Sequence, residues 1–99
     1  MSHVTNVTLM TAIDEPAMPA LLKWCEDISF FFKKVDQHYG GTKWAEIDVH
    51  GGAFNYFPGD EFIARWRECD WQFPESCVLV IHPQEGEAIV MRPGRVSGQ

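Results

Sequence analysis

Glu46, Asp48 and His50 alternate along one short stretch, so an extended backbone places all three on the same side, neighbours ~7 Å apart. A carboxylate beside an imidazole can tune it toward a general base near neutral pH. The next residues are Gly51-Gly52, and alternating residues continue beyond them to Phe57. A two-residue Gly-Gly turn between alternating runs is a hairpin signal. The stretch Lys43 to Phe57 is therefore expected to fold as a β-hairpin with His50 opposite Ala53. Val49 then faces Phe54 and Ile47 faces Tyr56, on the side that belongs to the core. The other side carries Trp44, Glu46, Asp48, His50, Asn55 and Phe57, with Asn55 opposite Asp48. Polar residues flanked by two large aromatics make that side the candidate binding surface. The same alternation describes the polar face of any half-exposed hairpin, so it indicates a surface before it indicates catalysis.

Other chemistries find less support. His50, His82, Cys69 and Cys77 are metal-ligand types, but no HxH, CxxC or HExxH spacing groups them. Cys77 and His82 are five apart on a predicted strand and point to opposite faces. No metal and no cofactor is expected. A cysteine nucleophile needs a nearby base and a positive surrounding. Cys25 and Cys69 instead fall on apolar helix stripes, Cys77 opens a buried strand, and no GxSxG frames a serine. Gly40-Gly41 leads into a strand rather than a helix, and Asp60-Glu61 would repel an anion at the start of the second helix. The aromatic residues lack interleaved basic residues, so base stacking has no electrostatic partner.

Composition sets the frame. The chain has 99 residues and a net charge of −6, with only eight Lys and Arg. Binding to phosphate backbones depends on those cations, so nucleic acid and anionic membrane surfaces are not expected partners. The acids form no run and read as a solvated surface. No stretch approaches the ~20 apolar residues of a membrane-spanning helix. The first residues lack the pattern of a signal peptide, so a cytoplasmic location is expected. Cys25, Cys69 and Cys77 are odd in number and read as reduced, small hydrophobes. Residues 1–92 are expected to form one domain and 93–99 a tail.

The elements that must position these residues follow from periodicity. Residues 4–13 alternate as a strand, with Val7, Leu9 and Ile13 on one side and Asn6, Thr8 and Met10 on the other. Asp14-Glu15-Pro16 opens a helix over 15–28 with an apolar stripe of Met18, Leu21, Leu22, Cys25 and Ile28. Trp24 falls near the edge of that stripe. The aromatic run Phe30-Phe31-Phe32 favours a strand at about 31–36. After the hairpin, Pro58 to Glu61 opens a second helix with Phe62, Ile63, Trp66 and Cys69 on its inner stripe, and Glu61 in reach of Arg65. Residues 77–81 read as a strand buried on both faces, and 87–92 as an edge strand. The order β-α-β-β-β-α-β-β predicts an α+β fold: a two-layer, ferredoxin-like sandwich, its antiparallel sheet covered on one face by two helices.

The run Gly40-Gly41-Thr42-Lys43, Glu46, Asp48-Val49, Gly52-Ala53-Phe54-Asn55-Tyr56, Phe62, Trp71 and Pro74-Glu75 resembles a pattern in small uncharacterised bacterial and phage-associated proteins. The opening Met1-Ser2-His3-Val4-Thr5 is similar to the start of some of them. The resemblance covers about residues 40–82. It brings no known activity and no functional residue, and implies a microbial cytoplasmic setting.

These readings converge on a small acidic interaction module, an accessory or inhibitory factor acting through its open sheet face. That face would carry Trp44, Phe57, Met10 and half of the strand 77–81. Exposed apolar patches of a few hundred Å² usually mark interaction sites. A protein partner or a homodimer would cover it. The alternatives are a small dimeric α+β-barrel enzyme with Glu46, Asp48 and His50 lining a pocket, and an acidic mimic of nucleic acid.

Overall fold

The computed structural model describes residues 4–93. Its elements run β1 (Val4–Thr11), α1 (Met18–Asp27), β2 (Lys33–Lys34), β3 (Asp48–Asn55), α2 (Gly59–Glu68), β4 (Val78–Pro83) and β5 (Ile89–Met91). Short 3-10 turns occupy Asp36–His38 and Pro74–Ser76. The chain is α+β, with two helices and a five-stranded sheet in the order β2-β3-β1-β4-β5. All neighbouring strands are antiparallel.

The expected hairpin does not form. β3 runs unbroken through Gly51-Gly52, and all eight of its residues pair with β1, from Thr11 opposite Asp48 to Val4 opposite Asn55. Neither Gly51 nor Gly52 has the positive φ that a tight Gly-Gly turn needs. Glycine is required for a different reason at Gly52. The ring of Phe54, two residues along the same face, folds over it, and a Cβ there would lie 2.7 Å from the ring's Cε2. The strand count is thus one fewer than the sequence suggests.

Alternation in β1 buries Val7, Leu9 and Thr11 completely while Thr8 and Met10 stay partly exposed. The buried set packs with Met18, Leu21 and Cys25 of α1, Phe62 and Trp66 of α2, and Leu79 and Ile81 of β4. Burying a side chain the size of Phe62 stabilises the fold by about 1.5–3 kcal/mol. Both helical stripes are those expected, though Leu22, Ile28, Ile63 and Cys69 are only half-buried. An outer ring of aromatics extends this core: Phe30, Phe32, Phe54, Phe57 and Phe62 meet at centroid distances from 5.1 to 5.8 Å.

Several expectations are corrected. α1 begins at Met18 rather than 15: Pro19 has no N–H to bond the Glu15 carbonyl, which accepts instead from Met18 N in a turn, and the Glu15 carboxylate serves another purpose. Buried, it accepts hydrogen bonds from Ala17 N (3.3 Å), Gln72 N (2.9 Å) and Phe73 N (3.0 Å), tying the connector after α2 to the start of α1. In that connector Trp71 Nε1 donates to the Trp66 carbonyl at 2.9 Å. Among the described residues Glu61 and Arg65 form no ion pair; the Arg65 guanidinium lies 4.8 Å over the Trp24 ring. Ile13, expected on the inner side of the first strand, lies beyond its end and is exposed. Tyr56, expected in the core, is 80% exposed, and Ile47 is half-buried in the loop before β3. β4 is buried on one face only. The strand expected at 31–36 is reduced to Lys33–Lys34. Pro93, assigned to the tail, is buried; 94–99 lie outside the described residues. No helix is long and apolar enough to cross a membrane among the described residues.

Candidate functional site

Because β3 is continuous, its side chains alternate without the reversal a turn would impose. Asp48, His50, Gly52 and Phe54 share the side facing the helices. Val49, expected to face the helices, shares the other side with Gly51, Ala53 and Asn55 and is buried there, 3% exposed. The six residues expected on one surface are therefore dispersed. Trp44, 87% exposed, and the exposed Glu46 sit in the loop before β3. Phe57 belongs to the aromatic ring around the core, stacked on Phe54 at 5.4 Å. Asn55 is exposed at the end of β3, opposite Val4. Only Asp48 and His50 remain together.

Around those two the chain gathers charges. Lys34 pairs with His50 across the β2–β3 edge, and its Nζ lies 3.1 Å from Asp36 Oδ2 and 3.3 Å from Asp48 Oδ1. The other Asp36 oxygen accepts from Val49 N at 2.8 Å, and Asp48 Oδ2 accepts from Asp14 N at 2.9 Å. Asp36 is held below the usual carboxylate range, chiefly by the Val49 N–H and then by Lys34. Lys34 is raised in return, first by its hydrogen bond to Asp36. His50 is buried, and burial pushes its pKa down against the opposing pull of Asp48 and Asp36. Its Nδ1 is sealed and has no hydrogen-bond partner among the described residues. A shallow depression of about 170 Å³ opens here, floored by Met18, Pro19 and Leu22 and rimmed by Lys34, Asp48 and His50. Ligand sites usually measure about 300–1,000 Å³. The cluster fastens the short β2 edge to β3 and holds a neutral imidazole beside a cation. Lys34 and Asp36 lie at the end of the strand expected at about 31–36, which the aromatic run Phe30 to Phe32 marks and the charged residues do not. No periodic signal marks them: the strand ends at Lys34 and Asp36 opens the 3-10 turn that follows.

A larger hollow of about 310 Å³ lies in the loop ahead of β3, lined by Asp36, Tyr39, Lys43 and Trp44 among others. No group of three or more His, Cys, Asp or Glu able to hold a metal is found among the described residues.

The sheet face turned away from the helices is built in rows fixed by the strand register. Val49, Met10 and Val78 form one row. Gly51, Thr8, Val80 and Val90 form the next, and Ala53, Asn6 and His82 a third. Val78 and Val80 are partly exposed and Val90 is 65% exposed. Lys33, opposite Gly51 at the β2 rim, is the charged residue of these rows. Met10 and half of β4 thus stand where the sequence suggests, whereas Trp44 and Phe57 do not join them. No family model matches the chain, and neither a curated protein nor a solved structure matches it.

Proposed function

We propose that the protein is a small interaction module that works through this face of its sheet. The observation that supports the reading is the row Thr8, Val80 and Val90 with Met10 and Val78 beside it. A solvated face of an antiparallel sheet carries polar residues at these positions. Here it carries valines and a methionine. We read the fold behind it as a two-layer, ferredoxin-like sandwich with β5 appended. Support comes from β1 lying between β3 and β4, from each helix linking strands that are separated by one other, and from the helices sharing one core cluster. The setting we assign is cytoplasmic, in the bacterial or phage accessory or inhibitory role that the resemblance over residues 40–82 implies. Three free thiols, Cys25, Cys69 and Cys77, suit a reducing compartment.

A second reading, a small enzyme, draws on the Lys34, Asp36, Asp48 and His50 cluster and the depression above it. Glu46, expected in such a pocket, does not line it. The acidic-mimic reading needs carboxylates free of cations, whereas Asp27, Asp36 and Asp48 each lie against a lysine.

The test is affinity capture with the parent and with Val80→Asp, each checked for native circular dichroism. The reading expects an associating chain, foreign or identical, that the folded variant loses. An associate retained equally by Val80→Asp and by a Val90→Glu variant would refute it.

A further inference from the structure

We infer that the occupant of the open face is a second copy of this chain, seated sheet on sheet about a two-fold axis; this rests on the interaction reading above. The first argument is charge. The rows that form the face hold no acid, and Lys33 stands only at their rim, although the chain carries a net charge of −6. A partner chosen for complementary charge would find nothing to recognise. An identical copy meets no like charge across a neutral face, so the self-pairing of an acidic protein is tolerated here and not elsewhere on its surface.

The second argument is shape. An isologous contact requires one patch to be its own complement. The central row is graded: Gly51 has no side chain, Thr8 and Val80 are near-isosteric and partly exposed, and Val90 at the far end is 65% exposed. A two-fold axis parallel to the strands lays the Val80–Val90 end of one copy over the Thr8–Gly51 end of the other. Gly51 makes the hollow real, since beyond its Cα the nearest atom to an added Cβ is the Val7 carbonyl oxygen at 3.8 Å. Both copies then fill a gap that neither fills alone.

Size fixes the strength. β1, β3, β4 and β5 contain 8, 8, 6 and 3 residues. At ~3.4 Å per residue and ~4.8 Å between strands, their footprint is roughly 400 Å² per copy. Two such faces bury less than the ~1,200–2,000 Å² of stable complexes, so the dimer is weak and concentration-dependent.

Sedimentation velocity across a concentration series tests this with the full chain. The parent should pass from monomer to dimer along the series. Val80→Asp, which puts two unpaired carboxylates into the contact, should weaken it at least ~30-fold. Val90→Glu changes a residue that is already exposed and gives the same answer should Val80→Asp fail to fold. Trp44→Ala should match the parent. Raising salt from ~50 to ~500 mM should leave the dimer as tight or slightly tighter, because only the net repulsion between copies is screened. A parent monomeric at ~1 mM, a dimer that persists in both folded variants, or one that salt dissolves overturns the inference. A monomeric parent that captures a foreign protein, lost in Val80→Asp, overturns the second copy alone. A monomer with no variant-sensitive capture overturns the interaction reading as well.

Discussion

Adjacent glycines in β3 should respond oppositely to the same substitution. A Cβ at position 52 would crowd the Phe54 ring, 2.7 Å from Cε2 and 3.2 Å from Cε1. The ring cannot simply swing away, because Phe30, Phe32 and Phe57 hold it at centroid distances of 5.3, 5.1 and 5.4 Å. Overpacking of this kind costs about 1–3 kcal/mol. Disturbing one or two aromatic pairs adds about 0.5–1.5 kcal/mol each. Replacing glycine by alanine in a strand returns about 0.5–1 kcal/mol through reduced backbone entropy. Gly52→Ala should therefore destabilise the fold by about 2 kcal/mol. Gly51→Ala meets only ordinary contact at 3.8 Å and should be neutral or stabilising by up to about 1 kcal/mol. The assay is urea unfolding of dilute protein, comparing midpoints at unchanged slope. Adding Phe54→Leu should recover part of the Gly52→Ala loss, a coupling that a double-mutant cycle isolates. A turn at these positions would need positive φ at Gly51, and in a type I′ turn at both, so Gly51→Ala would then destabilise at least as much as Gly52→Ala. Equal losses at 51 and 52, or no loss at 52, would refute the continuous strand.

Glu15→Gln should cost about 2–4 kcal/mol in the same unfolding assay, because one carboxamide oxygen cannot replace the two carboxylate oxygens that accept from Ala17, Gln72 and Phe73. His50 is pushed down from its ordinary value of 6.5, so the unfolded chain takes up its proton first and stability falls as pH drops below 6.5 toward the folded pKa. Asp36, also depressed, loses its contribution as pH falls further through the carboxylate range. Stability measured from pH 7.5 down to about 5 should fall less steeply in His50→Asn than in the parent. Burial raises the Cys25 thiol to about 11 and the Cys77 thiol to about 12, so native protein at about pH 8 should label far more slowly than unfolded protein, in which all three cysteines react. Non-reducing mass mapping should find no intramolecular disulfide.

The helices were legible because a period of 3.6 is hard to mimic: Met18, Leu21 and Cys25 on one, Phe62 and Trp66 on the other, are buried as their spacing predicts. β1 was legible from a period of two, and β4 as a short apolar run, although only one of its faces is buried. The central strand was not. Gly-Gly between alternating runs suits a hairpin, yet it also suits a strand whose neighbours need space. Both readings put Asp48 and His50 on one side, but the hairpin turns that side away from the helices and the continuous strand turns it toward them. With a turn, Asn55 stays on the side of Asp48 and His50; without one, Phe54 takes that side and Asn55 the other. Relative to the core, Phe54 and Asn55 keep the sides the hairpin gave them, whereas Asp48 and His50 turn toward the helices and Val49 turns away. Lys34 and Asp36 stayed hidden for another reason. A strand of two residues, held by side-chain carboxylates rather than a long ladder, leaves almost no periodic trace.

The two glycines join core and surface in one place. Gly52 lacks a side chain so that Phe54 can lie flat and close the aromatic ring around the core. Its neighbour faces the other way, where no side chain of β3 replaces the missing volume. The sheet is therefore full on the helix side and hollow on the open side within one dipeptide. A hollow in a row that ends at the exposed Val90 is costly in water, since apolar surface stays wet there. It becomes favourable only when something with a matching ridge lies across it. The chain carries that ridge itself, at the Val80–Val90 end of the same row.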